Sequence, residues 1–162
     1  MFRFVVPCLA CVLWLAPAQA AEGDALAGVW TLDGAKSSNA SGPLPKNETR
    51  TYGIAKSDGS LTLVVEGVAA EGTPYAYGAT GEINGMEYPI PGRDEGARIL
   101  GDSISWRRVD PLTVEMDIKK KGGIINATRH ALSEDGRTLT VTEDGIDPEG
   151  KPIHASKVYR RR

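Results

Sequence analysis

Beyond its first twenty residues this chain has no cysteine and no phenylalanine. Cys8, Cys11, Phe2 and Phe4 account for both types among 162 residues. Without thiols past residue 20, disulfide staples, thiolate metal centres and a cysteine nucleophile are excluded there, and noncovalent packing must suffice. Long apolar runs are scarce too. The 13-residue stretch 4–16 falls short of the roughly 20 residues that a spanning helix needs, and Pro7 and Pro17 bracket a shorter core within it. Charge of one sign is also lacking, with 19 Lys+Arg against 21 Asp+Glu. Such a balance offers no global attraction to nucleic acid or to an anionic membrane.

What is present at the start reads as a targeting segment. Arg3 supplies a positive n-region, residues 4–16 an apolar core, and Ala18, Gln19 and Ala20 a small-x-small cleavage site. Residues 1–20 are therefore expected to be a cleaved signal peptide, giving an exported protein, periplasmic or secreted, without stable membrane insertion. Its loss takes Arg3 and leaves 18 of the 19 Lys+Arg against 21 Asp+Glu, or −3. Residues 21–162 suffice for one domain with one core. That core must rely on Leu, Ile, Val, Ala, Tyr, Trp30 and Trp106.

The dominant pattern is short strands punctuated by glycine turns. Leu112, Val114, Met116 and Ile118 alternate with Thr113, Glu115, Asp117 and Lys119, the mark of a half-buried strand. Strands are expected at 28–32, 48–56, 61–65, 73–83, 86–89, 97–100, 103–109, 112–118, 124–132, 138–142 and 152–160. Turns are read at 57–59, Asn84-Gly85, Asp110-Pro111, 121–123 and 134–136, with Asn84-Gly85 favouring a type I′ hairpin. "LTLVVEGVAAEGTP" at 61–74 echoes "LTVTEDGIDPEGKP" at 139–152. A duplication and two hairpins under similar turn constraints both explain the echo. The fold class is all-β, an antiparallel up-and-down barrel of about 8–10 strands, since closure removes exposed edges.

Gly28-Val29-Trp30 in the first strand resembles the Gly-x-Trp signature of lipocalins and the wider calycin group. The longer set Gly28, Trp30, Leu32, Lys36, Ser37, Gly42-Pro43 and Pro45-Lys46 is similar to a family of small secreted bacterial lipocalin-like proteins. Tyr88-Pro89, Lys121-Gly122-Gly123, "SEDGRTLTVT" at 133–142 and "EGKP" at 149–152 fit the same family, so the likeness covers nearly all of 21–162. The resemblance implies that Trp30 plugs the closed end of a barrel beneath an arginine from late in the chain. Arg129 and Arg160 are the candidates, with Arg160 favoured on the final strand; such a cation–π contact contributes about 0.5–2 kcal/mol. It also implies that loop 34–46 lies near the barrel mouth. The further signatures and disulfides of lipocalins proper are absent, and a fold supplies no reaction by itself.

Chemical motifs are sparse. His130 and His154 belong to no metal-binding spacing, and Asp144, Asp147 and Glu149 lack the ligand spacing of an EF loop. No Gly-x-Ser-x-Gly elbow, Walker loop or dinucleotide fingerprint occurs. No cofactor, metal site or catalytic residue is assigned. An eight-strand barrel is just wide enough to be filled or to hold one small ligand. Alternation and the inner-face reading nominate Arg50, Tyr52, Tyr75, Tyr77, Trp106, Arg108, Val114 and Met116 as lining residues, with Arg50 or Arg108 orienting an anionic head group. The first expectation is an exported carrier for a small apolar or amphipathic molecule. The alternative is an interaction or inhibitor protein with a packed barrel, acting through loops 34–46 and 90–96 on an unidentified protein. An enzyme using His130, His154 or a tyrosine as proton donor ranks third.

Overall fold

Period-two alternation becomes strands almost wherever it was read. The computed structural model describes residues 25–55, 58–90, 101–147 and 150–162. The expected signal peptide, the 97–100 strand, residues 91–96 of the second loop, and Glu149 lie outside them. The strands are β1 (Gly28–Leu32), β2 (Ser38–Asn39), β3 (Asn47–Ile54), β4 (Leu61–Val68), β5 (Pro74–Gly81), β6 (Glu87–Pro89), β7 (Ser103–Asp110), β8 (Thr113–Lys120), β9 (Gly123–Leu132), β10 (Thr138–Ile146) and β11 (Pro152–Arg161), with one 3₁₀ turn at Gly34–Lys36. Among the described residues no helix is long and apolar enough to cross a membrane.

All pairings are antiparallel, and the order is β5-β4-β3-β1-β11-β10-β9-β8-β7-β6, with β2 added beside β11. Short links between sequential strands produce this order, broken once where β1 brings the two halves together through β3 and β11. The two ends of the path meet without a ladder. At Gly81 an added Cβ would stand 2.9 Å from Tyr88 and 3.3 Å from Trp106, so the absence of a side chain lets β5 close on β6 and β7. The result is a nearly closed antiparallel barrel. Leu61, Leu63, Trp106, Val114, Leu139 and Tyr159 are among its buried interior residues.

Pro74 and Pro152 open β5 and β11, as the internal echo suggested. The Asn84-Gly85 hairpin does not form. Lys121 is the sole non-glycine with positive φ among the described residues, whereas a type I′ turn would also need it at Asn84. The Asn84 side chain is instead spent locally: Oδ1 accepts the Met86 N–H at 2.8 Å and Nδ2 donates to Tyr88 Oη at 2.8 Å. The chain there crosses the seam between the two ends of the sheet. The paired left-handed residues are Lys121 and Gly122, φ 51° and 79°, in the turn from β8 to β9.

Trp30 is wholly buried, and its indole N–H donates to the Leu26 carbonyl at 2.9 Å. The arginine over its ring is Arg161, with the guanidinium carbon 4.4 Å from the centroid, which corrects the choice of Arg160. Trp30 pairs with Arg161 across the β1–β11 ladder, and alternation from inward Tyr159 sends Arg160 outward, onto Asp33 at 2.9 Å. Arg129, the other candidate, pairs with Glu115. Arg161 also donates to the carbonyls of Ala25, Ala27 and Gly136 at 2.6, 2.8 and 2.9 Å. Gly28, at φ 138°, leaves room for it, since a Cβ there would lie 3.0 Å from Arg161 Nη1.

Replacing Arg161 with Ala removes the ring contact and three hydrogen bonds, so a loss of about 1–3 kcal/mol is expected in urea unfolding. Arg160→Ala, which loses an exposed ion pair, should cost no more than about 0.5–1 kcal/mol.

Candidate functional site

The first strand after the long loop carries the site. In β3 the sequence Asn-Glu-Thr-Arg-Thr-Tyr alternates so that Glu48, Arg50 and Tyr52 all turn inward, each almost completely buried. A buried charge has to be paired and hydrogen-bonded, and two further strands, β5 and β11, supply the other partners. Arg50 Nε donates to Glu48 Oε1 at 3.0 Å and to Tyr159 Oη at 2.9 Å. The Tyr159 hydroxyl itself donates to Glu48 Oε1. On the other carboxylate oxygen, Tyr75 donates at 2.6 Å and Lys157 at 3.4 Å. Lys157 also stands 3.8 Å from Glu143. The Arg50 guanidinium lies over the Tyr159 ring at 5.1 Å, and Tyr75 and Tyr77 stack with centroids 6.2 Å apart.

Burial works to raise the Glu48 pKa, but Arg50, Lys157 and the hydroxyls of Tyr159 and Tyr75 overcome it and hold the carboxyl at about 2. Burial likewise works to strip Arg50 of its proton, and Tyr159 and Glu48 more than offset that. The phenols of Tyr75, Tyr77 and Tyr159 are pushed up, mainly by burial, with Glu48 adding to it. The network is therefore a fixed ion pair wrapped in neutral hydroxyls.

A second chain of hydrogen bonds runs deeper. Thr128 Oγ1 donates to the Met116 carbonyl at 3.3 Å and is 2.9 Å from His130 Nε2, while Tyr52 Oη is 2.8 Å from His130 Nδ1. With Thr128 spending its proton on Met116, Nε2 is the donor and Nδ1 accepts from Tyr52, so the ring is neutral. Burial, helped by the Arg50 charge, pulls its pKa down to about 3. Trp106 packs on it at 5.4 Å.

Above this filled lower half lies a cleft of about 340 Å³. The segment from β2 towards β3 contributes Asn39, Ser41, Gly42, Pro43 and Pro45, the β4–β5 turn contributes Ala69 to Glu71, and Ile153, Ala155, Lys157, Glu143 and Tyr75 complete the lining. The loop is strapped down by β2 on Ala155 and Ser156, by the Ala40 N–H on the His154 carbonyl, and by Ser37 Oγ, which accepts the Val158 N–H at 2.8 Å.

Of the residues expected to line an interior site, Tyr75 reaches this cleft. Arg50, Tyr52 and Tyr77 lie in or against the polar network beneath it. Trp106, Val114 and Met116 belong to the packed core, and Arg108 donates to the Pro111 carbonyl near the far end of β7. Four central residues were missed: Glu48, Glu143, Lys157 and Tyr159. The signal for Glu48 was available, since it shares the inward parity of Arg50 and Tyr52. Lys157 and Glu143 carried none, because solvated strand residues look the same. His154 is exposed, with Nδ1 2.7 Å from Asp144 Oδ1. Among the described residues no three His, Cys, Asp or Glu side chains could hold a metal ion.

The two depressed groups act in different pH windows. An unfolded histidine protonates near its ordinary 6.5 while folded His130 waits until about 3, so its contribution is complete above pH 6.5 and is lost as pH falls to 3. Glu48 contributes fully above 4.5 and loses it toward 2. Between pH 6.5 and 4.5, stability should fall by up to about 1.4 kcal/mol per pH unit through His130. In His130→Gln, urea titrations across that window should give a much flatter dependence, whatever the absolute loss.

No protein-family profile matches this chain, and no curated protein matches it. Solved structures do. The zebrafish ileal bile acid-binding protein complexed with cholic acid aligns with TM-score 0.50 at 9% identity, over 85% of this chain and 99% of that one. As-p18, an extracellular fatty acid binding protein, aligns with TM-score 0.51 at 14% identity, over 86% and 97%. At such identities the likeness is one of architecture, and the chain has the fold of a calycin-type barrel.

Proposed function

We infer that this chain is an exported binding protein, with residues 1–20 its signal peptide and 21–162 a single barrel domain, which holds a small apolar or amphipathic molecule at the barrel mouth. The observation that carries this is the cleft of about 340 Å³ beneath the 39–45 loop, the size of small-ligand sites. Its apolar lining of Pro43, Pro45, Ala69, Ala70, Ile153 and Ala155 suits a hydrocarbon body, and Ser41, Tyr75 and Lys157 suit a polar end. The fold neighbours, one in complex with cholic acid and one named for fatty acids, support the same reading by analogy. Arg3, the apolar run 4–16 and the small-x-small pattern at Ala18, Gln19 and Ala20 support export. In this reading Tyr75 touches the ligand, Arg50, Tyr52 and Tyr77 support it from below, and Trp106, Arg108, Val114 and Met116 serve the scaffold.

A second reading is an interaction protein acting through its mouth loops. It is favoured by the packed lower barrel, where Trp106, His130 and Leu63 are all buried.

Native mass spectrometry of protein purified from its own host separates the two. The carrier reading expects added mass on the folded protein that leaves on denaturation, and Ala155→Trp, which fills the cleft, should remove it while the circular dichroism spectrum stays native. Bare mass after exposure to host lipid and metabolite extracts would reject the carrier reading.

A further inference from the structure

The donors beneath the cleft are those that would seize an anion: one guanidinium, one ammonium and two phenols. All four are turned on Glu48. Arg50 and Tyr159 occupy Oε1, Tyr75 and Lys157 occupy Oε2, and a carboxylate has about four acceptor positions to fill. Two of these donors, Tyr75 and Lys157, form part of the floor of the cleft. The cations are thus matched from within, Arg50 by Glu48 and Lys157 by Glu48 and Glu143. The remaining charges among the lining residues are the carboxylates Glu71 and Asp147. Lys157 is the sole cation of that lining.

We propose that Glu48 is a specificity-determining residue, a built-in carboxylate occupying the position that the head group of an anionic ligand would take, so that the cleft selects amphipathic molecules with a neutral or amine polar end and rejects carboxylates. An entering carboxylate would meet Glu143, Glu71 and Asp147, and would find the two donors of the floor, Tyr75 and Lys157, already turned on Glu48. A hydroxyl or ammonium group meets acceptors instead: the carboxylates of Glu143 and Asp147, which already accept from Asn126 and the Lys151 N–H, keep acceptor positions to spare, since each carboxylate has about four. The inference deepens the binding function proposed above and rests on it. It reverses the expectation that Arg50 orients an anionic head.

Calorimetric titration of the full-length mature protein at pH 7 with decanol, decylamine and decanoate decides it, because the three share one chain and differ in the head. Decanol and decylamine should bind at least about tenfold more tightly than decanoate. In Glu48→Gln, which frees Arg50 and leaves Lys157 with Glu143 alone, decanoate should become the best of the three. Should that variant fail to fold, Lys157→Met serves: the ratio of decanol to decanoate affinity should stay within about twofold of wild type if Lys157 is already neutralised, and a further loss of decanoate affinity of about tenfold would show Lys157 serving anions and overturn the role of Glu48. Decanoate binding the wild-type protein as tightly as decanol would overturn the role of Glu48 and leave the cleft as a binding site. Failure of all three to bind wild-type protein would overturn the cleft reading, and this inference with it.

Discussion

A carboxylate and a guanidinium 3.0 Å apart inside an apolar barrel dictate much of what the surrounding strands must provide. Neither charge is tolerated alone. A buried pair of this kind contributes little net stability over an apolar pair, yet loss of one partner costs about 3–5 kcal/mol. Glu48 and Arg50 lie on β3, two residues apart, and their satisfaction requires Tyr75 from β5 and both Lys157 and Tyr159 from β11. The register β5-β4-β3-β1-β11 is the one that delivers those side chains to one level. A slip of one residue in β11 would turn Tyr159 and Lys157 outward and leave the ion pair short of donors. The pair therefore acts as a check on register as well as a floor.

That floor divides the barrel. Below it, Trp30, Trp106, Leu63 and Leu139 fill the interior, and Arg161 lies over the Trp30 ring. Above it, the walls carry smaller residues, among them Ala69, Ala70 and Ala155, and the space that their short side chains leave is the cleft. The loop over the cleft is held by backbone bonds from β2 to β11 and by the Ser37 hydroxyl. A polar, proline-marked loop after the first strand is thus explained: it has to cross water-exposed ground while remaining tied to one strand.

The architecture was legible because it rests on period-two alternation and glycine turns, and the barrel strands follow both. β1 matches its expected limits, and β9 and β11 fall within a residue of theirs. Where sequence reading failed, long-range geometry decided. Arg160 and Arg161 are adjacent and chemically identical, and pairing of Trp30 with Arg161 across the ladder selects between them. Asn84-Gly85 had the composition of a hairpin, but β5 and β6 lie at opposite ends of the sheet path and meet across its seam. In the site, Glu48 was hidden by habit, since a glutamate at a strand start reads as solvated. Its inward parity with Arg50 was the clue. Nothing local marks Lys157 as the residue that completes the floor.

The division into a packed base and an open mouth is tested most directly by a two-dimensional NMR titration of the mature protein with decanol. The expected result is concentrated shifts of the backbone amides of Ser41, Ala70, Tyr75 and Ala155, with those of Leu63, Trp106 and His130 unmoved. Shifts centred on Leu63, Trp106 and His130 would place the ligand in the lower barrel and contradict the account.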